Sequence, residues 1–233
     1  MKKQDFYVII GISFFLAPFF LWSEIYRAYA TFNQEHGFIT AFFKFALLAT
    51  FGEALGLRIR QGVYNRKGFG LLPRAMVWGF LGLTIKAAFV IFATGTPRML
   101  EALHINGASR ALAEPFSGLK LLAAFVISAT LNLFYAPVMM TFHKITDTHI
   151  TNHNGKLSAL TKKIHFAEIL KQMDWHTMFH FVFKKTIPLF WIPAHTFTFL
   201  LPEEFRVLFA ALLGVALGVI LALAAQKQDN GNT

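Results

Sequence analysis

The chain has 233 residues, 55% of them hydrophobic and only 15% charged, with a mean hydropathy of +0.51. A soluble domain of this length would carry nearer a quarter charged residues, and here the apolar residues gather into runs long enough to cross a bilayer. The net charge of +10 falls between those runs, which suits anionic lipid headgroups rather than nucleic acid, and the absence of cysteine excludes disulfides, thiolate metal sites and thiol nucleophiles.

In chain order, Lys2 and Lys3 precede an uncharged run from Phe6 to Ser23, the first predicted span (6–23). Ala28-Tyr29-Ala30 resembles a signal-cleavage site. The run is longer than a usual signal core, however, and Glu24 and Arg27 intervene, so a retained span is expected. Ser23 to Gly37 reads as a short polar link. The second span, 38–57, contains Lys44 and Glu53, and Gly52 and Gly56 form a small-residue pair that lets another helix approach closely. Five basic residues and no acidic one lie between Arg58 and Arg74. The third span, 75–95, carries Lys86, Gly79 and Gly82.

Thr96 to Lys120 reads as a mixed-charge loop containing Pro97. The fourth span, 121–142, holds Asn132 and Pro137. A long polar segment runs from His143 to Lys185, with THITNHNG (148–155) expected as loop. Within it Phe166, Ile169, Leu170 and Met173 mark one face of an amphipathic surface helix over about 163–174. The fifth span, 181–201, contains Pro188, Pro193 and His195. After Pro202 the sixth, 207–225, carries Gly214 and Gly218 at GxxxG spacing. The expected fold is therefore all-α, a polytopic membrane bundle of six transmembrane helices. Alternate loops carry fifteen and five Lys and Arg, which places both termini on the cytoplasmic side.

Ionisable and amide groups inside a span are costly unless paired or hydrated, so they mark candidate sites. At ~1.5 Å rise per residue, Lys44, Lys86, Asn132 and His195 lie roughly 10–16 Å from the outer edge, in one layer. Glu53 lies deeper, about 23 Å from that edge. The layer suggests a polar path, with two ammonium groups suited to an anionic solute and no carboxylate expected at their level. The competing reading is that Lys44 snorkels outward and the others are structural hydrogen-bond partners. Glu53 needs a partner or a proton; Lys86, Arg58 and Arg60 are the candidate partners, and the competing reading is a carboxylate near the interface. Two HxxxH pairs, His149 with His153 and His176 with His180, could hold a metal if helical, and His176 and His180 are the better placed. The denser boxes of membrane di-iron enzymes are absent. So are GxSxG, Walker-type and GxGxxG motifs, and neither catalysis nor a cofactor is expected.

Several stretches carry a family resemblance. ATFGEALGLRIRQG (49–62) closes a block that starts at Tyr26, with Glu53 where an Asp would stand. Arg74 and GFLG (79–82) follow, with Leu83 in place of Pro. YAPVMM (135–140) comes next, preceded by Leu131-Asn132 rather than Asp-Gln. Trp175, FWIP (190–193) and FLLPEEFR (199–206) complete the series. In order and spacing from Tyr26 to the C-terminus these blocks resemble the Mpv-seventeen type family of small peroxisomal and mitochondrial inner-membrane proteins. The resemblance implies a compact helical membrane protein acting as a small-solute channel. The functional expectation is thus a channel-like or transporter-like passage for a small, anionic solute. The alternatives are a scaffold binding partner helices, in a homo-oligomer or with another membrane protein, and a His-rich metalloenzyme. No organelle transit peptide precedes the first span, so a bacterial inner membrane is expected, with an organelle membrane as the alternative.

Overall fold

The computed structural model describes residues 2–231, with side chains through Gln226. No strand occurs among the described residues. Helix α1 (Lys3–Leu21) leads through α2 (Ser23–Glu35) into α3 (Gly37–Gln61), which forms an antiparallel hairpin with α4 (Leu71–Ala102). After the short α5 (Ala108–Ala111), α6 (Gly118–Thr130), a π turn (Leu131–Tyr135) and α7 (Ala136–Asn152) make one continuous rod. A 3-10 turn (Leu157–Thr161) and α8 (Phe166–Gln172) follow. Then α9 (Trp175–Thr177), a π segment (Met178–Trp191) and α10 (Ile192–Leu200) form a second continuous helical run, and α11 (Glu203–Gly231) closes the chain.

Five of these stretches are long and apolar enough to cross a membrane: 3–21, 37–61, 71–102, 118–152 and 203–226. The fifth predicted span, 181–201, falls on the run interrupted by the 14-residue π segment. Proline explains where the winding changes. It lacks an N–H and its ring crowds the carbonyl four residues back. Widening the helix by one residue per turn relieves that crowding. Pro188 lies inside the long π segment, where Ile192 N–H donates to the Ile187 carbonyl. Pro137 follows the short one, where Ala136 N–H donates to the Leu131 carbonyl.

Several boundaries differ from the sequence reading, always toward more helix. The polar link 23–37 is largely helix α2. Pro97 lies inside α4, not in a loop, because its turn is held by packing: Leu100 joins Ala108, Ala111 and Ala123 in a small core, and Thr96 bonds Thr130 at 2.9 Å. THITNHNG is half helix. The rod continues to Asn152 and stops at Asn154 (φ 55°) and Gly155 (φ 66°), a left-handed turn. The amphipathic helix is shorter than expected, and Ile169 and Met173 are buried with Ile145 of α7 and Met178, so that face docks on protein.

The core forms where α3 lies between α4 and α11. Lipid is as apolar as Leu, so helices inside a membrane associate by close packing rather than by escape from water. Glycine supplies the closeness. A Cβ on Gly82 would lie 2.6 Å from the Ala41 carbonyl oxygen, and one on Gly52 would lie 2.9 Å from Val215 Cα. Ala41, Phe45, Ala49, Ile85 and Ala211 fill the surrounding layers.

The start of α1 and the Gln226 turn of α11 meet at one end of the bundle. Asp5 forms a two-pronged pair with Arg58 at 2.8 and 2.7 Å, and Gln226 Nε2 donates to the Ile59 carbonyl at 2.7 Å. The opposite, far end holds Asn33, whose amide donates to the Glu204 carbonyl at 3.4 Å.

Candidate functional site

A cavity of about 270 Å³ lies between α3, α4, the Leu131–Met140 stretch, the Trp191–His195 turn and α11. Its walls are mostly aromatic, aliphatic and Met side chains, among them Phe45, Phe89 and Leu217, with polar groups in two places.

The first polar group is in the middle. The Asn132 amide nitrogen donates to the Ser128 carbonyl at 2.8 Å and lies 3.1 Å from His195 Nδ1. Donation to Nδ1 assigns the ring proton of His195 to Nε2. Ser128 Oγ donates in turn to the Ile192 carbonyl at 2.7 Å, so the two proline-containing runs are stitched together beside the cavity. Trp191 stacks on His195 at 5.1 Å, and its indole N–H is buried without a hydrogen-bond partner. Tyr135 shares a 2.7 Å hydrogen bond with Thr84.

The second polar group closes the cavity toward the end that holds Asp5 and Gln226. Glu53 Oε1 accepts from Trp78 Nε1 at 2.8 Å and lies 3.1 Å from His143 Nε2. Its other oxygen accepts from Arg74 Nη1 at 2.7 Å. Arg74 also pairs with Asp147, donates through Nε to the Phe69 carbonyl at 2.7 Å, and stacks over the Phe69 ring. The Trp78 and His143 ring centroids lie 4.3 Å apart with their planes tilted by 39°. Both rings also line a smaller crevice beyond them, with Arg74, Thr146 and Asp147. They are therefore the partition between cavity and crevice.

Of the residues singled out in the sequence, Glu53, Asn132 and His195 line the cavity. Lys44 and Lys86 do not. Lys44 reaches Asn33 Oδ1 at 2.5 Å and sits over the Tyr29 ring, near the far end. Lys86 pairs with Glu203 at 3.1 Å, so the expectation of no carboxylate at its level is corrected. Glu203 starts α11 immediately after the Leu201-Pro202 turn, and its side chain reaches back to the lysine.

The expected partners of Glu53 are also corrected. Lys86 is taken by Glu203, Arg58 by Asp5, and Arg60 by the Gly56 carbonyl. Arg58 is five residues along α3, about 140° around the helix from Glu53. Arg74 instead faces Glu53 across the hairpin. Sequence reasoning missed His143 and Asp147 because the fourth span was ended at Phe142. The available signal was phase: Asn132, Tyr135, Met139, His143 and Asp147 recur every three or four residues, one face of a continuing helix.

The histidine pairs are helical neighbours, with rings 4.3 Å apart for His149 and His153 and 4.6 Å for His176 and His180. His149 Nε2 bonds the Ala159 carbonyl and His153 Nδ1 the His149 carbonyl, which occupies one nitrogen of each with backbone. Among the described residues no group of three or more His, Asp or Glu is arranged to hold a metal ion. No family model, curated protein or solved structure matches the chain.

Proposed function

We propose that this is a multi-pass integral membrane protein whose bundle admits a small solute to the cavity between α3, α4, α7 and α11, and that it acts as a channel-like or transporter-like passage. The observation that carries this reading is the cavity itself. It lies within the apolar length of the helices and is bounded at one end by a ring-on-ring partition held by Glu53. Ligand pockets are concave, largely apolar and oriented by a few polar groups, and about 270 Å³ sits at the small end of that class. Lys44 and Lys86 lie outside the lining, so we take the solute to be small and without net charge rather than an anion. An even number of crossings, with the 175–200 run counted among them, accounts for Asp5 and Gln226 lying at the same end of the bundle. The resemblance to the Mpv-seventeen type family supports the same reading.

The test is flux of a panel of small solutes through liposomes containing the purified protein. Gly214 lines the cavity and a Cβ there meets nothing within 4 Å, so Gly214→Leu starts its side chain into open space and takes up cavity volume. It should block passage while leaving the melting temperature unchanged. Gly11→Leu on α1, also in open space, is the control. Flux that Gly214→Leu leaves unchanged would sink the reading. A scaffold role is the second reading, favoured by α1, which buries no residue and presents Phe14, Phe15 and Phe20 to its surroundings.

A further inference from the structure

The walls of the cavity decide what it can hold. Glu53 is engaged by Trp78, His143 and Arg74, and Tyr135 by Thr84, so these polar groups are already bonded to protein. A hydrophilic solute moving in would give up its water and find few groups to replace it, which is costly for every unmatched hydroxyl or amide. An apolar molecule loses nothing of the kind. An apolar cavity of about 150 Å³ stays dry and takes up benzene, and by that measure about 270 Å³ has room for roughly ten non-hydrogen atoms.

Two polar atoms in the middle of the cavity remain free. The Asn132 amide nitrogen is used on Ser128 and on His195 Nδ1, which leaves Asn132 Oδ1 as an acceptor and His195 Nε2–H as a donor. Neither has a hydrogen-bond partner among the described residues. The indole N–H of Trp191 beside them is unpartnered too, but it is sealed off, whereas Oδ1 and Nε2 keep accessible surface. Both residues line the cavity. A hydroxyl suits this pair, because it accepts one hydrogen bond and donates another.

We propose that the cavity binds an uncharged, predominantly apolar molecule of roughly ten non-hydrogen atoms that carries a single hydroxyl, seated on His195 Nε2–H and Asn132 Oδ1. A second hydroxyl would face aromatic, aliphatic and Met side chains and go unmatched, so sugars and other polyols are refused. The inference rests on the cavity as the solute space and narrows the solute to a lipid-soluble alcohol.

Menthol and p-menthane are the probes, since they share one carbon skeleton and differ only by the hydroxyl. Equilibrium dialysis against the protein in nanodiscs, with the retained ligand read by gas chromatography as the excess over empty nanodiscs, measures binding. Menthol should saturate at one equivalent per protein and bind about tenfold more tightly than p-menthane, and glycerol should show no excess. His195→Phe removes the Nε2–H donor. It should bring menthol down to the level of p-menthane and leave p-menthane unchanged, whereas a merely structural histidine would weaken both alike. Gly214→Leu takes up cavity volume and should abolish the excess of both, which keeps the test decisive if a melting curve shows that His195→Phe does not fold. Equal binding of menthol and p-menthane in the parent would overturn the proposal. So would menthol binding undiminished by Gly214→Leu, or displacement of menthol by glycerol. Menthol binding without liposome flux of any solute leaves the site standing and removes the passage. Flux of glycerol-like solutes without menthol binding keeps the passage and removes this ligand class.

Discussion

Arg74→Leu is the most informative single perturbation. Among the described residues the guanidinium is the only cation in contact with both Glu53 and Asp147, it is 9% exposed, and it also holds the Phe69 carbonyl at the entry to α4. Leucine preserves apolar bulk but strands two carboxylates side by side. Removing one partner of a buried ion pair costs about 3–5 kcal/mol, mostly because the other charge stays buried and unmatched. In a chain of this length each kcal/mol shifts Tm by roughly 2–4 °C, so a fall of about 6–20 °C is expected. Melting followed by tryptophan emission in detergent at neutral pH reads it. Arg66→Leu is the control, since Arg66 is exposed and bonded only to Gln61, and such surface changes stay within about 0.5 kcal/mol. Replacing Glu53 and Asp147 by Leu in the Arg74→Leu background should restore stability, because no buried charge is left without a partner. An Arg74→Leu shift no larger than that of Arg66→Leu, or no recovery in the triple variant, would refute the reasoning.

Gly82→Ala places a methyl 2.6 Å from the Ala41 carbonyl oxygen, so α3 and α4 must separate. A cost of about 1–3 kcal/mol is expected, and differential scanning of both this variant and Gly11→Ala, which meets open space, measures it. Asn132→Leu keeps the volume and removes the bonds to Ser128 and His195. It should cost about 1–3 kcal/mol, and exchange protection around Ile192 should fall, as read by hydrogen–deuterium exchange. Lys86→Met breaks a pair whose carboxylate is 70% exposed, so stability should change by no more than about 1 kcal/mol, and solute flux should not change because Lys86 lies outside the cavity.

All six predicted apolar runs lie on helices, because hydropathy over about twenty residues tests directly whether a segment can replace water by lipid. The errors fall where helix and lipid part company. Residues 23–35, Pro97 to Ala102 and His143 to Asn152 are helical without being apolar enough to count as span, and packing holds them so. The glycine pattern was legible in part: Gly52 and Gly82 meet Val215 Cα and the Ala41 carbonyl at distances that exclude a side chain, whereas Gly214 of the predicted GxxxG pair faces open space.

By itself the sequence determined the all-helical class, the apolar segments and the presence of costly polar residues at Glu53, Asn132 and His195. These are properties of one residue or one window, carried by composition and period. Which polar residues meet was decided only by the tertiary structure. Glu53 meets Arg74 and His143 rather than Arg58, and Lys86 meets Glu203 rather than a second lysine's anion, because pairing depends on the rotation and offset of one helix against another. Those are set by glycine contacts and π turns in distant parts of the chain. A shift of one residue turns a side chain by about 100°. That is enough to move a histidine from a presumed loop to the partition of a cavity.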